Sequence, residues 1–133
     1  MKKLFLFILV FCVNFCVFSQ QNTKISTIDF VKILNNNKKE NIYYYENNWE
    51  VLRKMAIQKS YIDSYQLLET KPTNDAPFSF ILITTYKNKT QFDAREKHFE
   101  ELIKAKGKLL LLNNKKPGEF RKTIFGKDAY HRE

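Results

Sequence analysis

The chain is poor in the residues that punctuate or cross-link a small protein. It has only three glycines and three prolines, all after Lys71, and only two cysteines, Cys12 and Cys16. Both cysteines fall in the apolar N-terminal segment, so a chain that begins after this segment contains none. This excludes disulfides, thiol catalysis and thiolate metal sites in the remainder. Its stability must come from side-chain packing or from dimerisation.

Several catalytic signatures are also missing. The sequence has no G-x-S-x-G motif, no glycine-rich phosphate loop and no H-x-x-x-H pair, and its two histidines, His98 and His131, lie far apart. Serine-nucleophile, nucleotide and zinc chemistry all lack their usual residues. We therefore expect no bound metal and no cofactor.

The N-terminus has the pattern of a secretory signal peptide. Residues 1–3 are positively charged, residues 4–18 are almost entirely apolar, and Val17 and Ser19 are small residues at the positions that signal peptidase requires. The apolar run is short for a retained membrane anchor. We predict cleavage after Ser19, a periplasmic or secreted protein with no membrane span after cleavage, and a single domain over residues 20–133.

Positive charge dominates the sequence. The formal net charge is +9, and the excess of lysine and arginine lies toward the end, so residues 114–133 are expected to form a basic C-terminal extension. Such a segment can bind nucleic acid, an anionic membrane surface or acidic glycans. Export and the absence of an aromatic-interleaved basic motif argue against nucleic acid. We interpret the lysines as a solvated surface.

Periodicity predicts two helices and four strands. The expected elements are a strand at 27–34, a helix at 38–60, strands at 61–70 and 78–86, a helix at 90–106, and a fourth strand at either 109–112 or 121–125. Asn88 is suited to cap the second helix, and Gly107 is suited to end it.

The segment 38–60 needs a decision, because three consecutive tyrosines favour a strand and Asn47-Asn48 favours a turn. Apolar residues at steps of three and four support a helix instead: Ile42, Tyr45, Trp49, Leu52 and Ala56. A strand would end at Asn47 and leave the later apolar positions unexplained. We predict one long helix in which packing overrides the weak helix propensity of the two asparagines.

The order βαββαβ predicts an α+β protein of the ferredoxin-like class, with an antiparallel sheet and two helices on one face. The strand at 78–86 is apolar on both faces: Phe80, Leu82 and Tyr86 alternate with Ile81 and Ile83. Helices cover only one of these faces. We expect a second copy of the chain to cover the other, which gives a homodimer and a dimeric α+β barrel.

Four stretches carry a resemblance to a known superfamily: YYENNWEVLRKMA, YIDSYQLLE, ILITTY and FDAREKHFEEL. In layout they resemble the dimeric α+β barrel proteins, including stress-responsive barrel proteins and antibiotic-biosynthesis-type monooxygenases. The resemblance implies a cleft between the sheet and its own helices, or inside the dimer barrel. It also implies functions that range from cofactor-free oxygenases, haem-degrading enzymes and isomerases to proteins of no known activity.

Seven residues are candidates for a ligand pocket: Tyr45, Asn48, Trp49, Arg53, Tyr65, Tyr86 and His98. Trp49 and Arg53 lie one helical turn apart, so an aromatic wall could present a guanidinium to an anionic or carbonyl group. The alternative is that Tyr45 and Trp49 are core residues and Arg53 pairs with an acid. His98 is the position that the haem-degrading members would use, but those members also have a tryptophan on the sheet, whereas Trp49 is on the first helix. His131 is expected to be disordered near the terminus.

These observations favour an exported protein that binds a small, partly apolar ligand or has a structural role in the bacterial envelope. The alternative is a cofactor-independent monooxygenase or isomerase. The sequence leaves open whether the protein is an enzyme.

Overall fold

The computed structural model describes residues 23–132, and the predicted signal peptide with its cleavage after Ser19 lies outside these residues. The elements are β1 (Ile25–Ile33), α1 (Lys38–Tyr44), a π-helical turn (Tyr45–Trp49), α2 (Glu50–Gln58), β2 (Ser64–Glu69), β3 (Phe80–Tyr86), α3 (Lys89–Asp93), α4 (Arg95–Lys106), α5 (Pro117–Phe120) and β4 (Arg121–Tyr130).

The four strands form one antiparallel sheet in the order β2-β3-β1-β4. This order, with the helices between β1 and β2 and between β3 and β4, is that of a ferredoxin-like α+β fold and confirms the predicted class. β3 is an inner strand, as its apolar residues on both faces predict. The fourth strand is Arg121–Tyr130, while residues 109–112 form a loop.

The register assigns a face to each side chain of the inner strands. Ile25, Thr27, Asp29 and Val31 lie opposite Tyr86, Thr84, Leu82 and Phe80, and this face is covered by the helices. Its core contains the buried residues Val31, Tyr45, Trp49, Phe80, Leu82, Ala56, Ile62, Tyr86 and Leu102. On the opposite face, Phe30 packs on Phe78 and Phe125 at ring-centroid distances of 4.8 and 4.4 Å. We call this the open face.

The segment 38–58 is helical throughout, as predicted, but it contains a π-helical turn at Tyr45–Trp49. The amide groups of Asn47 and Asn48 donate to the carbonyl oxygens of Tyr43 and Tyr44, four residues earlier. Side chains that compete for these carbonyls favour a locally wider helical turn. The two asparagines that raised doubt about the helix therefore explain its irregularity.

The second helical segment begins and ends as predicted. The side chain of Asn88 accepts a hydrogen bond from the backbone N–H of Gln91 at 2.9 Å. Gly107 ends α4 with a φ of 80°, a conformation that favours glycine. The segment is divided at Ala94 into the short α3 and the longer α4.

The segment expected as a basic extension contributes α5 and β4 to the fold. β4 pairs with β1 along its whole length, with an irregularity beside Phe30 and Val31. The preceding loop is also fixed, because Asn113 and Lys115 contact the carboxylate of Glu40 at 3.0 and 3.2 Å. The hydrogen bond from Asn113 is the main cause that holds the pKa of Glu40 below its usual range. Within residues 23–132, no helix is both long enough and apolar enough to span a bilayer.

Candidate functional site

A cleft of about 490 Å³ opens between the helices and the β1–β4 side of the sheet. It exists because α2 and α4 leave the outer part of this sheet face uncovered, so most of β4 remains exposed. The lining side chains from the helices are Leu52, Arg53, Arg95, Glu96, Phe99 and Ile103, and those from the strands include Thr27, Asp29, Tyr86 and Asp128.

Arg53 is held by aromatic rings in the wall of the cleft. Its guanidinium carbon lies 4.5 Å from the ring centroid of Trp49 and 4.4 Å from that of Phe99. Its Nε donates to the hydroxyl of Thr84 at 3.2 Å. Within the described residues it forms no ion pair, contrary to the alternative that it pairs with an acid. Burial lowers the pKa of Arg53 to about 10, which still leaves it cationic at neutral pH.

Asp29 places a carboxylate on the floor of the same cleft. It lies in the middle of an inner strand, on the face that the helices otherwise cover, yet it is exposed because the cleft reaches it. Partial desolvation raises the pKa of Asp29, while Arg53 and Arg121 act in the opposite direction. Opposite it on β4 is Gly126, where an added Cβ would lie 2.8 Å from the Asp29 Oδ1. Glycine therefore makes room for this carboxylate.

Tyr86 closes the inner end of the cleft. Only 3% of its surface is exposed, and its ring meets that of Phe92 edge-on at 5.5 Å. Burial raises the pKa of its hydroxyl, so the group is a neutral hydrogen-bonding partner at neutral pH. Tyr86 and Arg53 are the two predicted pocket residues that line this cleft directly, and Trp49 supports Arg53.

The other predicted pocket residues lie elsewhere. Tyr45 is 1% exposed, packs on Phe80 and has a pKa that burial raises to about 12. Tyr65 packs edge-on against Trp49 at 5.6 Å. His98 stacks on Tyr61 at 3.7 Å, away from the cleft.

Asn48 has a structural role in this fold. Its Nδ2 donates to the carbonyl of Leu110 at 2.7 Å, and its Oδ1 accepts from the Leu110 N–H at 2.8 Å and from the Lys106 ammonium at 2.9 Å. These bonds fasten the loop after α4 to the π-helical turn. Its hydrogen-bonding capacity is thus used within the protein.

Sequence reasoning missed the acidic floor. Asp29 shares its strand face with Val31, so a charge at an otherwise apolar, core-facing position was a signal of this site. Asp128 and Gly126 had no comparable signal, because the sequence did not determine where the fourth strand begins and ends or how it pairs with β1. Arg95 was likewise indistinguishable from the other charges of its helix.

A second concavity, of about 460 Å³, lies at one end of the open face. There the hydroxyl of Ser26 lies 2.7 Å from the hydroxyl of Thr85 and 2.8 Å from Nε2 of His131. The His131 N–H also donates to the carbonyl of Lys24 at 3.0 Å. His131 is therefore placed by the end of the sheet, and the expectation that it is disordered was wrong.

No group of three or more metal-ligating residues occurs within residues 23–132. The cleft combines charged groups of both signs with apolar walls, and these are suited to bind and orient an organic molecule.

No family model matches the chain, and no curated protein matches it either. Solved structures with similarity include HapK from Hahella chejuensis, at 9% identity and a TM-score of 0.49 over 79% of this chain and 90% of that one. A candidate antibiotic biosynthesis monooxygenase from Nitrosomonas europaea has 13% identity and a TM-score of 0.48, over 84% and 90%. A dimeric protein with a ferredoxin-like fold from Bacteroides fragilis has 11% identity and a TM-score of 0.48, over 85% and 98%.

All three similarities lie below 25% identity and below a TM-score of 0.5. The ferredoxin-like class itself follows from the strand order of this chain. Similarity at this level carries no information about activity.

Proposed function

We propose that the protein binds a small, partly apolar ligand in the cleft and holds an anionic or carbonyl group of that ligand on Arg53. The observation that carries this proposal is the placement of a guanidinium between the rings of Trp49 and Phe99 with no carboxylate within ion-pairing distance in the described residues. The rings fix the plane of the guanidinium before a ligand arrives, so little conformational entropy is lost on binding.

Burial makes an anionic partner favourable for Arg53. The lowered pKa records that the cation has lost part of its hydration, and within residues 23–132 its side chain makes one hydrogen bond, to Thr84. A carboxylate, phenolate or carbonyl oxygen of the ligand would accept charge-assisted hydrogen bonds from the remaining N–H groups of Arg53. Such bonds compensate for the lost hydration, which a purely apolar ligand cannot do.

The rest of the cleft fits a molecule with an apolar body. Leu52, Phe99 and Ile103 supply apolar surface, and the volume of about 490 Å³ suits a small organic compound. These features support the interpretation as a small-ligand protein, with Arg53 as the proposed anchor.

An enzymatic alternative is a cofactor-independent monooxygenase or isomerase. One route to both reactions is removal of a proton from a carbon beside a carbonyl group by a carboxylate base. Asp29 favours this alternative, because its pKa is raised by desolvation and it shares the cleft with Arg53, which would polarise the carbonyl. The test is exchange of deuterium from a labelled β-dicarbonyl compound. Exchange faster than the spontaneous rate in buffer that Asp29→Asn returns to that rate would support the enzyme, and equal exchange with both proteins would exclude this role of Asp29.

We also propose that the protein is exported to the bacterial envelope and is a homodimer. Export is supported by the pattern of residues 1–19. Dimerisation is supported by the open face, where Leu68 is 43% exposed and Phe125, which stacks on Phe30, is 44% exposed. Recovery of a chain that begins at Gln20 from the periplasm would support export, and a chain that retains Met1 in the cytoplasm would contradict it.

Native mass spectrometry of the protein with 3-phenylpropanoate tests the ligand proposal. We expect the wild-type protein to retain the compound, Arg53→Gln to lose it, and Lys54→Gln to retain it. Lys54 is the matched control because it removes the same charge one residue away, on the exposed side of α2. Equal retention by Arg53→Gln and the wild type would overturn the proposal.

A further inference from the structure

The charges that line the cleft are partly separated by sign. The helical wall carries two arginines, Arg53 and Arg95, and one acid, Glu96, while the strand floor carries two acids, Asp29 and Asp128, and one lysine, Lys127. No arginine of this set forms an ion pair with a carboxylate of the set within the described part of the chain. The helical wall therefore has a net positive charge and the strand floor a net negative charge, and the arginines and aspartates do not neutralise each other by direct contact.

The two floor carboxylates are neighbours. Asp29 pairs with Gly126, and Thr27 pairs with Asp128, so the register places Asp29 and Asp128 diagonally on the same face. The charge of Asp128 contributes to the raised pKa of Asp29, although desolvation is the larger cause. Neither carboxylate has a hydrogen-bond donor among the side chains described here. Gly126 leaves the space above them open.

The arginines of the wall are held in place by contacts that leave N–H groups free. Arg95 lies 4.0 Å from the ring centroid of Phe92 and donates one Nη1 hydrogen bond to the carbonyl of the same residue. Among the residues that the structure describes, Arg53 donates a hydrogen bond only through its Nε. Both side chains are therefore oriented by their surroundings and retain donors for a ligand.

We propose that the ligand is a zwitterion with an apolar side chain, such as an amino acid, whose carboxylate meets Arg53 and Arg95 and whose ammonium group meets Asp29 and Asp128. This inference rests on the proposed function, since it identifies the ligand of the same cleft. A simple anion would satisfy the arginines and be repelled by the floor, and a simple amine would satisfy the floor and be repelled by the wall. A zwitterion makes both contacts favourable.

The apolar lining of the cleft favours an apolar side chain on the ligand, in addition to its carboxylate and ammonium groups. Leu52, Phe99 and Ile103 line the same cleft as the charged groups, and Ile103 is 54% exposed. An aromatic or branched side chain on the ligand would cover this surface and remove it from water. Small polar amino acids would leave it exposed, so we expect them to bind more weakly.

Three compounds with one shared ring test the inference by titration calorimetry: phenylalanine, 3-phenylpropanoate and phenethylamine. The full chain is expressed, and the protein recovered is used in the titrations. We expect phenylalanine to bind roughly tenfold or more tightly than either of the other two. In the double variant Asp29→Asn/Asp128→Asn, the affinity for phenylalanine should fall to that for 3-phenylpropanoate. The affinity for 3-phenylpropanoate itself should be no lower in the double variant than in the wild type.

The control is Asp93→Asn, which removes an exposed carboxylate on α3 that pairs with Lys89. It should leave all three affinities unchanged. Equal binding of phenylalanine and 3-phenylpropanoate by the wild type, or an unchanged phenylalanine affinity in the double variant, would overturn the zwitterion inference. In that case Arg53→Gln should still weaken the binding of phenylalanine and of 3-phenylpropanoate, since both carry a carboxylate. Failure of the zwitterion inference is therefore distinguishable from failure of the proposed function.

Discussion

The carboxylate of Asp29 lies across the β1–β4 ladder from Gly126, where a Cβ atom would lie only 2.8 Å from its Oδ1. The inner strand β1 thus places a charged residue on the face that otherwise forms the core. The residue that pairs with it on β4 is a glycine, which has no side chain. The two features together define the floor of the cleft.

Gly126→Ala should displace this carboxylate. The contact is with the far end of a side chain, so we expect the Asp29 carboxylate to rotate and the free energy of unfolding to change by less than about 1 kcal/mol. The affinity for phenylalanine should fall roughly threefold or more in calorimetry. Gly118→Ala is the control, because nothing lies within 4 Å of a Cβ there. An unchanged affinity in Gly126→Ala would show that the position of Asp29 does not matter.

Asn48→Ala should destabilise the protein without a direct effect on the cleft. The substitution removes hydrogen bonds to Tyr44, Lys106 and both backbone groups of Leu110. Because the backbone groups of Leu110 lose their partner, we expect a loss of about 2–4 kcal/mol in urea denaturation. Asn47→Ala removes one bond, to Tyr43, and should cost about 1 kcal/mol or less. Equal losses in the two variants would contradict the structural role of Asn48.

Asp29→Asn should stabilise the protein at neutral pH. The folded-state pKa of Asp29 is raised, so between the unfolded and folded pKa values the folded protein binds more protons, and stability falls as pH rises through this window. The penalty is absent below the unfolded pKa and complete above the folded one. Asparagine removes it, so the stability difference from wild type should be small at pH 3.5 and favour the variant at pH 7.

Urea denaturation at the two pH values measures this difference, and Asp75→Asn in the exposed loop before β3 serves as the control for a change of net charge. A wild-type protein that is more stable than Asp29→Asn at pH 7 would show that the arginines outweigh desolvation at this carboxylate.

Phe125→Asp should convert the proposed dimer to a monomer. Phe125 stacks on Phe30 on the open face, and a carboxylate there would be buried between two apolar surfaces. Leu109→Asp is the matched control, since Leu109 has the same exposed fraction of 44% but lies in the loop after α4. Sedimentation velocity should show a dimer for the wild type and Leu109→Asp and a monomer for Phe125→Asp. A monomeric wild type at micromolar concentration would refute the dimer.

The elements could be predicted because their signals are local. The stripe from Ile42 to Ala56 identified the first helix despite three tyrosines, and Asn88 and Gly107 marked the ends of the second. The π-helical turn could not be predicted from periodicity, since it depends on where the amides of Asn47 and Asn48 point.

The candidate site was only partly predictable because most of it is set by long-range register. Arg53 and Tyr86 were identified by their residue type and position. Asn48 and His98 were predicted for the pocket as well, but Asn48 hydrogen-bonds the backbone of the loop after α4 and His98 stacks on Tyr61. Asp128 joins Asp29 only through the pairing of β4 with β1, across about a hundred residues of sequence. No local pattern encodes such a pairing.

The measurement that tests the central claim most directly is the NMR resonance of the Arg53 Nε–H during titration with 3-phenylpropanoate, assigned by its absence in Arg53→Gln. If Arg53 holds the acidic group of the ligand, this resonance should shift and saturate together with that of the Trp49 indole, the only one in the chain. An Arg53 resonance that stays fixed while resonances elsewhere move would place the ligand outside the cleft and contradict the account.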